Sequence, residues 1–117
     1  MKTGDKAKRL RIYISSTDKY EHTPLYEVIV YTALEHGITG ATVLKGIMGY
    51  GSSHEIYSSK IWEFSEKTPL VVEIVDEPAK VDKFLQAISP FCEKSGKGLI
   101  ITVDETTIAI HKIGAKR

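Results

Sequence analysis

The first element comes from alternation. Between Arg9 and Ser16, Leu10, Ile12 and Ile14 fall on one side and Arg9, Arg11 and Tyr13 on the other, a period of two that predicts a strand with one buried face. Residues 1–8 before it are polar and are expected to fray. Ser15 to His22 collects Ser, Thr, Asp, Lys and His, a loop composition. Thr23-Pro24 then predicts a helix start, with Thr23 as the N-cap and Pro24 in the first turn, where its missing N–H costs nothing. Leu25, Val28, Ile29, Thr32, Ala33 and His36 keep helical spacing, and Gly37 supplies the stop. Tyr26, Val30 and Tyr31 on the opposite side are unusually apolar for a solvated surface.

The second half repeats the scheme. Ala41 to Ile47 is an apolar run of strand composition, closed by Gly49-Tyr50-Gly51-Ser52-Ser53. Ser52 to Thr68 is too long for a simple connection, so hidden strand structure is expected at 60–65. Leu70 to Val75 is a third strand, interrupted only by Glu73. Asp76-Glu77-Pro78 opens a second helix with Val81, Phe84, Leu85, Ile88 and Cys92 as its apolar stripe, which Pro90 should kink or end within a residue or two. After a turn at Glu93 to Gly98, Leu99 to Val103 reads as a fourth strand and Thr106 to Lys112 as a short fifth. The order is βαββαβ with an extra C-terminal strand, an α+β domain spanning 1–117. Two helices cover one face of such a sheet. Val71, Val72, Ile74, Val75 and Leu99 to Ile101 ask for burial on both, so the second face is expected to meet another copy of the chain.

Composition narrows the function. At 117 residues, with 42% apolar and 26% charged residues, the chain is an ordinary globular domain. Sixteen Lys and Arg against 15 Asp and Glu leave a net charge of +1, which argues against a dedicated nucleic-acid binder. A lone cysteine, Cys92, excludes an internal disulfide. No apolar core follows Met1-Lys2-Thr3 and no run approaches the length of a membrane helix, so a cytoplasmic location is expected.

Candidate chemistry concentrates in the glycines. Five of the nine fall between Gly37 and Gly51. Gly49 and Gly51 follow the second strand, beside Tyr50, Ser52 and Ser53, while Gly96-Lys97-Gly98 precedes the fourth. Both loops could aim backbone N–H groups at an anion, with Lys45 and Lys97 as nearby charges. The competing readings are a plain strand exit and a plain helix C-cap. Catalytic signatures are absent: no Gly-x-Ser-x-Gly occurs, and the loop after the first strand has no arginine to cradle a phosphate. His22, His36, His54 and His111 are scattered, and only His54 beside Glu55 is worth watching as a metal ligand.

Gly40-Ala41-Thr42-Val43, Lys45-Gly46 and Gly49-Tyr50-Gly51 resemble the second strand and T-loop entry of PII signal-transduction proteins. Glu73-Ile74-Val75 is similar to their third strand and Gly96-Lys97-Gly98 to their B-loop. A narrower PII-like family of unknown function is resembled more closely, through Leu10 to Ile14, Pro24 to Glu27, Gly40 to Gly51 and Glu73 to Asp76. The resemblance implies a ferredoxin-like sandwich, a homotrimer, and an adenine nucleotide in each inter-subunit cleft. Thr42, Lys45, Gly49, Tyr50, Gly51, Ser52 and Ser53 would form one side of that cleft and the neighbour's Gly96, Lys97 and Gly98 the other. The 51–68 segment, corresponding to the T-loop, would then dock on a membrane transporter or enzyme. The chain departs from the PII pattern in having Ser52-Ser53 in place of an arginine-glutamine pair and Leu99 in place of a lysine, and in lacking two C-terminal arginines. Lys97, Lys112 and Lys116 are the cations available instead, so a monophosphate, cyclic nucleotide, other adenosyl compound or bicarbonate-sized anion fits better than a tightly held triphosphate. Two alternatives dispense with the nucleotide: a trimer similar to the copper-tolerance branch, binding Cu(II) or Zn(II) through His54 or Met48, and a ligand-free adaptor for a membrane transporter.

Overall fold

Leu10, Ile12 and Ile14 place the first strand at the centre of the sheet, because each has an apolar partner in the strand beside it. A computed structural model describes residues 1–51, 54, 56–58 and 67–115. Its elements are β1 (Lys6–Ser15), β2 (Lys19–Tyr20), β3 (Thr23–Pro24), α1 (Leu25–Glu35), β4 (Ala41–Lys45), β5 (Met48–Gly49), β6 (Tyr57–Ser58), β7 (Pro69–Asp76), α2 (Pro78–Lys94) and β8 (Ile100–Thr107). The main sheet has the order β4-β7-β1-β8, every neighbour antiparallel. Two small ribbons, β2 with β3 and β5 with β6, decorate its connections.

Both helices lie on one face. Leu10, Ile12 and Ile14 of β1 join Leu70, Val72 and Ile74 of β7, with Leu25, Ile29 and Ala33 of α1 and Val81, Phe84, Ile88 and Cys92 of α2 closing the core. Each fully buried large side chain contributes about 1.5–3 kcal/mol from removal of apolar surface from water. At one end of the core, Asp76 is 1% exposed and accepts the backbone N–H groups of Thr39 and Glu77 at 2.8 and 2.7 Å. Burial alone would push its carboxyl up, but these bonds, with the Thr39 hydroxyl, hold it below the ordinary carboxylate value. One buried anion thus ties the entry of β4 to the start of α2.

The other face of the sheet is open, and strand register sorts it into rows. Leu44, Val71, Tyr13 and Ile100 are successive cross-strand neighbours in an apolar row. Leu44, Tyr13 and Ile100 are 50%, 43% and 64% exposed. The next row reads Thr42, Glu73, Arg11 and Thr102, with Arg11 Nε donating to Glu73 Oε2 at 2.7 Å. Arg9, lying between Val75 and Asp104, pairs with Asp104 in the row after that.

Several sequence expectations need correction. The N-terminus does not fray at residue 8: β1 starts at Lys6, and Gly4 and Asp5 exchange backbone bonds with Ile108. Thr23 is not an N-cap. It pairs with Tyr20, leaving Pro24 at the N-cap without a side-chain cap, and the Leu25 N–H is met instead by the Asp18 carbonyl at 2.7 Å. The second helix does not stop near Pro90 but continues to Lys94, because Ile88 and Cys92 on either side are anchored in the core. Thr106 and Thr107 belong to β8, which pairs with β1 along its whole length, and residues 108–112 form no fifth strand. On the second face the single chain stands as the pattern required, with Val71 and Val75 half-buried and Ile100 exposed because nothing within one chain covers them. The strand expected at 60–65 lies outside the described residues.

Candidate functional site

The first glycine cluster is shaped by Pro69. The Gly46 N–H donates to the Pro69 carbonyl at 2.7 Å, and a Cβ on Gly46 would sit 2.8 Å from the Pro69 ring. Only glycine passes there, which turns the chain off the end of β4 into the β5–β6 ribbon. Gly49, at the end of β5, pairs with Tyr57. Tyr50 follows, 64% exposed, with the His54 ring 5.9 Å from its own. The His54 N–H donates to the Gly51 carbonyl at 2.9 Å. Lys45 is exposed at the end of β4. Ser52 and Ser53 lie outside the described residues.

The second cluster ends α2. Gly96 takes a φ of +74°, the left-handed conformation that closes a helix, and the Ser95 hydroxyl bonds back to the Cys92 carbonyl at 2.9 Å. Lys97 and Gly98 are exposed on the way into β8. Lys97 borders a shallow recess of about 280 Å³ with Ser89, Cys92, Glu93, Leu99 and Ile101. Burial, with Glu93 adding to it, pushes the Cys92 thiol up to about 11, so it serves as a small core residue and not a nucleophile.

These two clusters share one end of the sheet but not one edge. The row Leu44–Val71–Tyr13–Ile100 shows that the exit of β4 and the entry of β8 are level. Three strand spacings, about 14 Å, separate them. The expected groups therefore divide in two within a chain: Lys45, Gly49, Tyr50 and Gly51 at one edge, Gly96, Lys97 and Gly98 at the other.

Thr42 belongs to neither group. It faces Glu73 across β4 and β7, and both line a second shallow recess, of about 290 Å³, on the open face. Its rim includes Gly40, Val75, Ile110 and His111, the last two from the segment after β8. That segment is held at Ile108, which accepts the Gly4 N–H at 2.7 Å and donates to the Asp5 carbonyl at 2.8 Å. Sequence reasoning did not select Glu73, Arg11 or His111. A lone acid inside an apolar strand, with two arginines on the non-core side of β1, was the available signal for the first two.

The metal expectation finds little geometry. Among the described residues, no three His, Cys, Asp or Glu side chains converge, and His54 lies against Tyr50. Among the same residues, no helix is long and apolar enough to cross a membrane.

Residues 7–107 match a protein family, DUF190, described as Uncharacterized ACR, COG1993. A UPF0166 protein of Aquifex aeolicus is 41% identical over 83 residues, covering 71% of this chain and 79% of its own. A UPF0166 protein of Methanocaldococcus jannaschii is 35% identical over 99 residues, covering 85% and 89%. In structure the chain is similar to CPII of Thiomonas intermedia K12, a nitrogen regulatory PII-like protein solved with ADP, AMP and bicarbonate. The TM-score is 0.67 at 20% identity, with 91% of each chain covered. This chain belongs to the DUF190 family and has the ferredoxin-like fold of PII-like proteins.

Proposed function

We propose that the protein is a non-catalytic, PII-like regulator of the cytoplasm that assembles as a homotrimer and binds a small adenine nucleotide between copies. The position of the two glycine turns carries this reading. They are level with one another, at opposite edges of one sheet, and too far apart to grip one small anion within a chain. Head-to-tail association would bring the Gly96–Gly98 turn of one copy to the Lys45 and Gly49–Gly51 edge of the next. The open apolar row gives such association a driving force. The similar CPII was solved with ADP, AMP and bicarbonate, which supports ligands of this class.

On this reading the ligand's phosphate meets backbone N–H groups of both turns, with Lys45 and the partner copy's lysine at position 97 as counter-charges. Binding one conformer of the 51–68 segment more tightly shifts its population and passes the signal to a transporter or enzyme. The test is a thermal-shift and calorimetry panel of ATP, ADP, AMP, cyclic nucleotides and S-adenosylmethionine. A ligand of ~10 μM affinity stabilises by about 2.7 kcal/mol at millimolar concentration. A clear shift that is lost in Gly51→Val and in Lys97→Ala is the expected result. No shift with any ligand, in a protein shown to be oligomeric, sinks the reading and turns the search to Cu(II), Zn(II) and protein partners.

A further inference from the structure

We infer that the outward side of α1 is a docking surface for a basic amphipathic helix of another protein. Eight of the eleven residues of α1 are apolar or aromatic, so the helix has no ordinary solvated side. Leu25, Ile29, Thr32 and Ala33 take the core. Opposite them, Glu27, Val30, Tyr31 and Leu34 recur at i, i+3, i+4 and i+7 and form a second stripe. Val30 is partly buried, whereas Tyr31 and Leu34 are 61% and 74% exposed. The neighbouring α2 shows the contrast. Its exposed positions include Lys80, Asp82, Lys83, Gln86, Glu93 and Lys94 and hold no large apolar side chain. The stripe on α1 also points away from the open sheet face, so copies that meet through that face leave it uncovered.

Charge selects the occupant. Glu27 lies on the stripe and Glu35 at its border, and α1 has no lysine or arginine. Among the described residues neither carboxylate forms an ion pair. At the far end Lys80 Nζ donates to the Gly37 carbonyl at 3.2 Å. That contact offsets the negative end of the helix dipole and leaves the two carboxylates as the charges along the stripe. A second copy packed antiparallel about Tyr31 would set Glu27 against Glu35, and one packed parallel would set each acid on itself. An anionic lipid surface would meet the same repulsion, with no cation on α1 to hold a headgroup. A helix whose own apolar stripe is bordered by Lys or Arg fits instead: it covers Tyr31 and Leu34 and neutralises Glu27 and Glu35.

The test titrates two synthetic helical peptides of about 18 residues into the intact protein by calorimetry. One carries a leucine stripe bordered by lysine, and the other has glutamate in the lysine positions. Wild type is expected to bind the lysine peptide and not the glutamate one. Leu34→Ala and Tyr31→Ala should each weaken the lysine peptide by about 10-fold, the loss of a buried anchor. Glu27→Lys combined with Glu35→Lys should reverse the preference between the peptides. These side chains are exposed or half-buried, so melting temperatures should stay within a few degrees of wild type. Equal binding of both peptides, binding unchanged in Leu34→Ala and Tyr31→Ala, or no binding of the lysine peptide would overturn the assignment. So would a mass by light scattering that rises with concentration in wild type but not in Leu34→Glu, which identifies a second copy as the occupant. Flotation with phosphatidylserine vesicles that Leu34→Glu abolishes would overturn it too, in favour of a membrane.

Discussion

Asp76 is the residue on which the local geometry depends most. Its carboxylate is buried and held by two backbone N–H groups, so Asp76→Asn strips a charge-assisted acceptor from two partly buried donors. The expected cost is about 2 kcal/mol or more, read as a lower denaturation midpoint at neutral pH. Because the folded carboxyl lies below its ordinary value of 3.8, its contribution is complete above that value and is lost as pH falls through the folded one. The wild type should therefore lose its margin over Asp76→Asn in strong acid, and a margin constant from pH 7 to pH 2 would contradict this. Gly46→Ala forces a Cβ against the Pro69 ring and should cost roughly 1–3 kcal/mol in a chemical-denaturation titration, whereas Gly40→Ala, whose Cβ meets open space, should cost far less. Periodicity made the core residues legible: Leu10, Ile12 and Ile14 by alternation and Val81, Phe84 and Ile88 by helical spacing are all buried as the pattern required. Glu73 was legible only as an interruption, because its meaning depends on Arg11, a residue far off in sequence and adjacent in the sheet.

At the scale of elements, helix ends were read with mixed success for a physical reason. Gly37 stops α1 as expected, with φ at +69°. Gly37→Ala should cost roughly 1 kcal/mol of stability, measured as a shift in melting temperature, since an L-residue in that conformation is strained. No shift would mean that the helix ends elsewhere. Thr23 misled because its capping role was pre-empted by tertiary contacts: Lys19-Tyr20 pairs with Thr23-Pro24, and Asp18 takes the first helical N–H. Pro90 misled because core anchoring outweighs a missing backbone bond. Residues 106–112 have the apolar alternation of a strand, but β1 offers an edge only as far as Lys6, so β8 stops at Thr107.

For the whole molecule, the open face and the two separated turns are the informative features. Continuous apolar stretches in the third and fourth strands correctly signalled more apolar surface than one layer of helices covers. Register then resolved that signal into the single row Leu44–Val71–Tyr13–Ile100. If that row is where copies meet, Tyr13→Glu should lower the mass measured by light scattering to that of one chain while far-UV circular dichroism stays helical and sheet-like. An unchanged mass would place the contact elsewhere. The motifs named two loops, yet sequence alone could not reveal that they sit at opposite edges, because strand order is set by pairing over long separations. The most direct test of a site shared between copies is complementation. Gly51→Val and Lys97→Ala chains, each unable to bind ADP alone, are co-assembled and titrated by calorimetry. A shared cleft predicts that a fraction of sites regains wild-type affinity, because some clefts receive an intact Gly51 from one chain and an intact Lys97 from the next. No recovery in a verified mixed oligomer would contradict it and return both turns to a single chain.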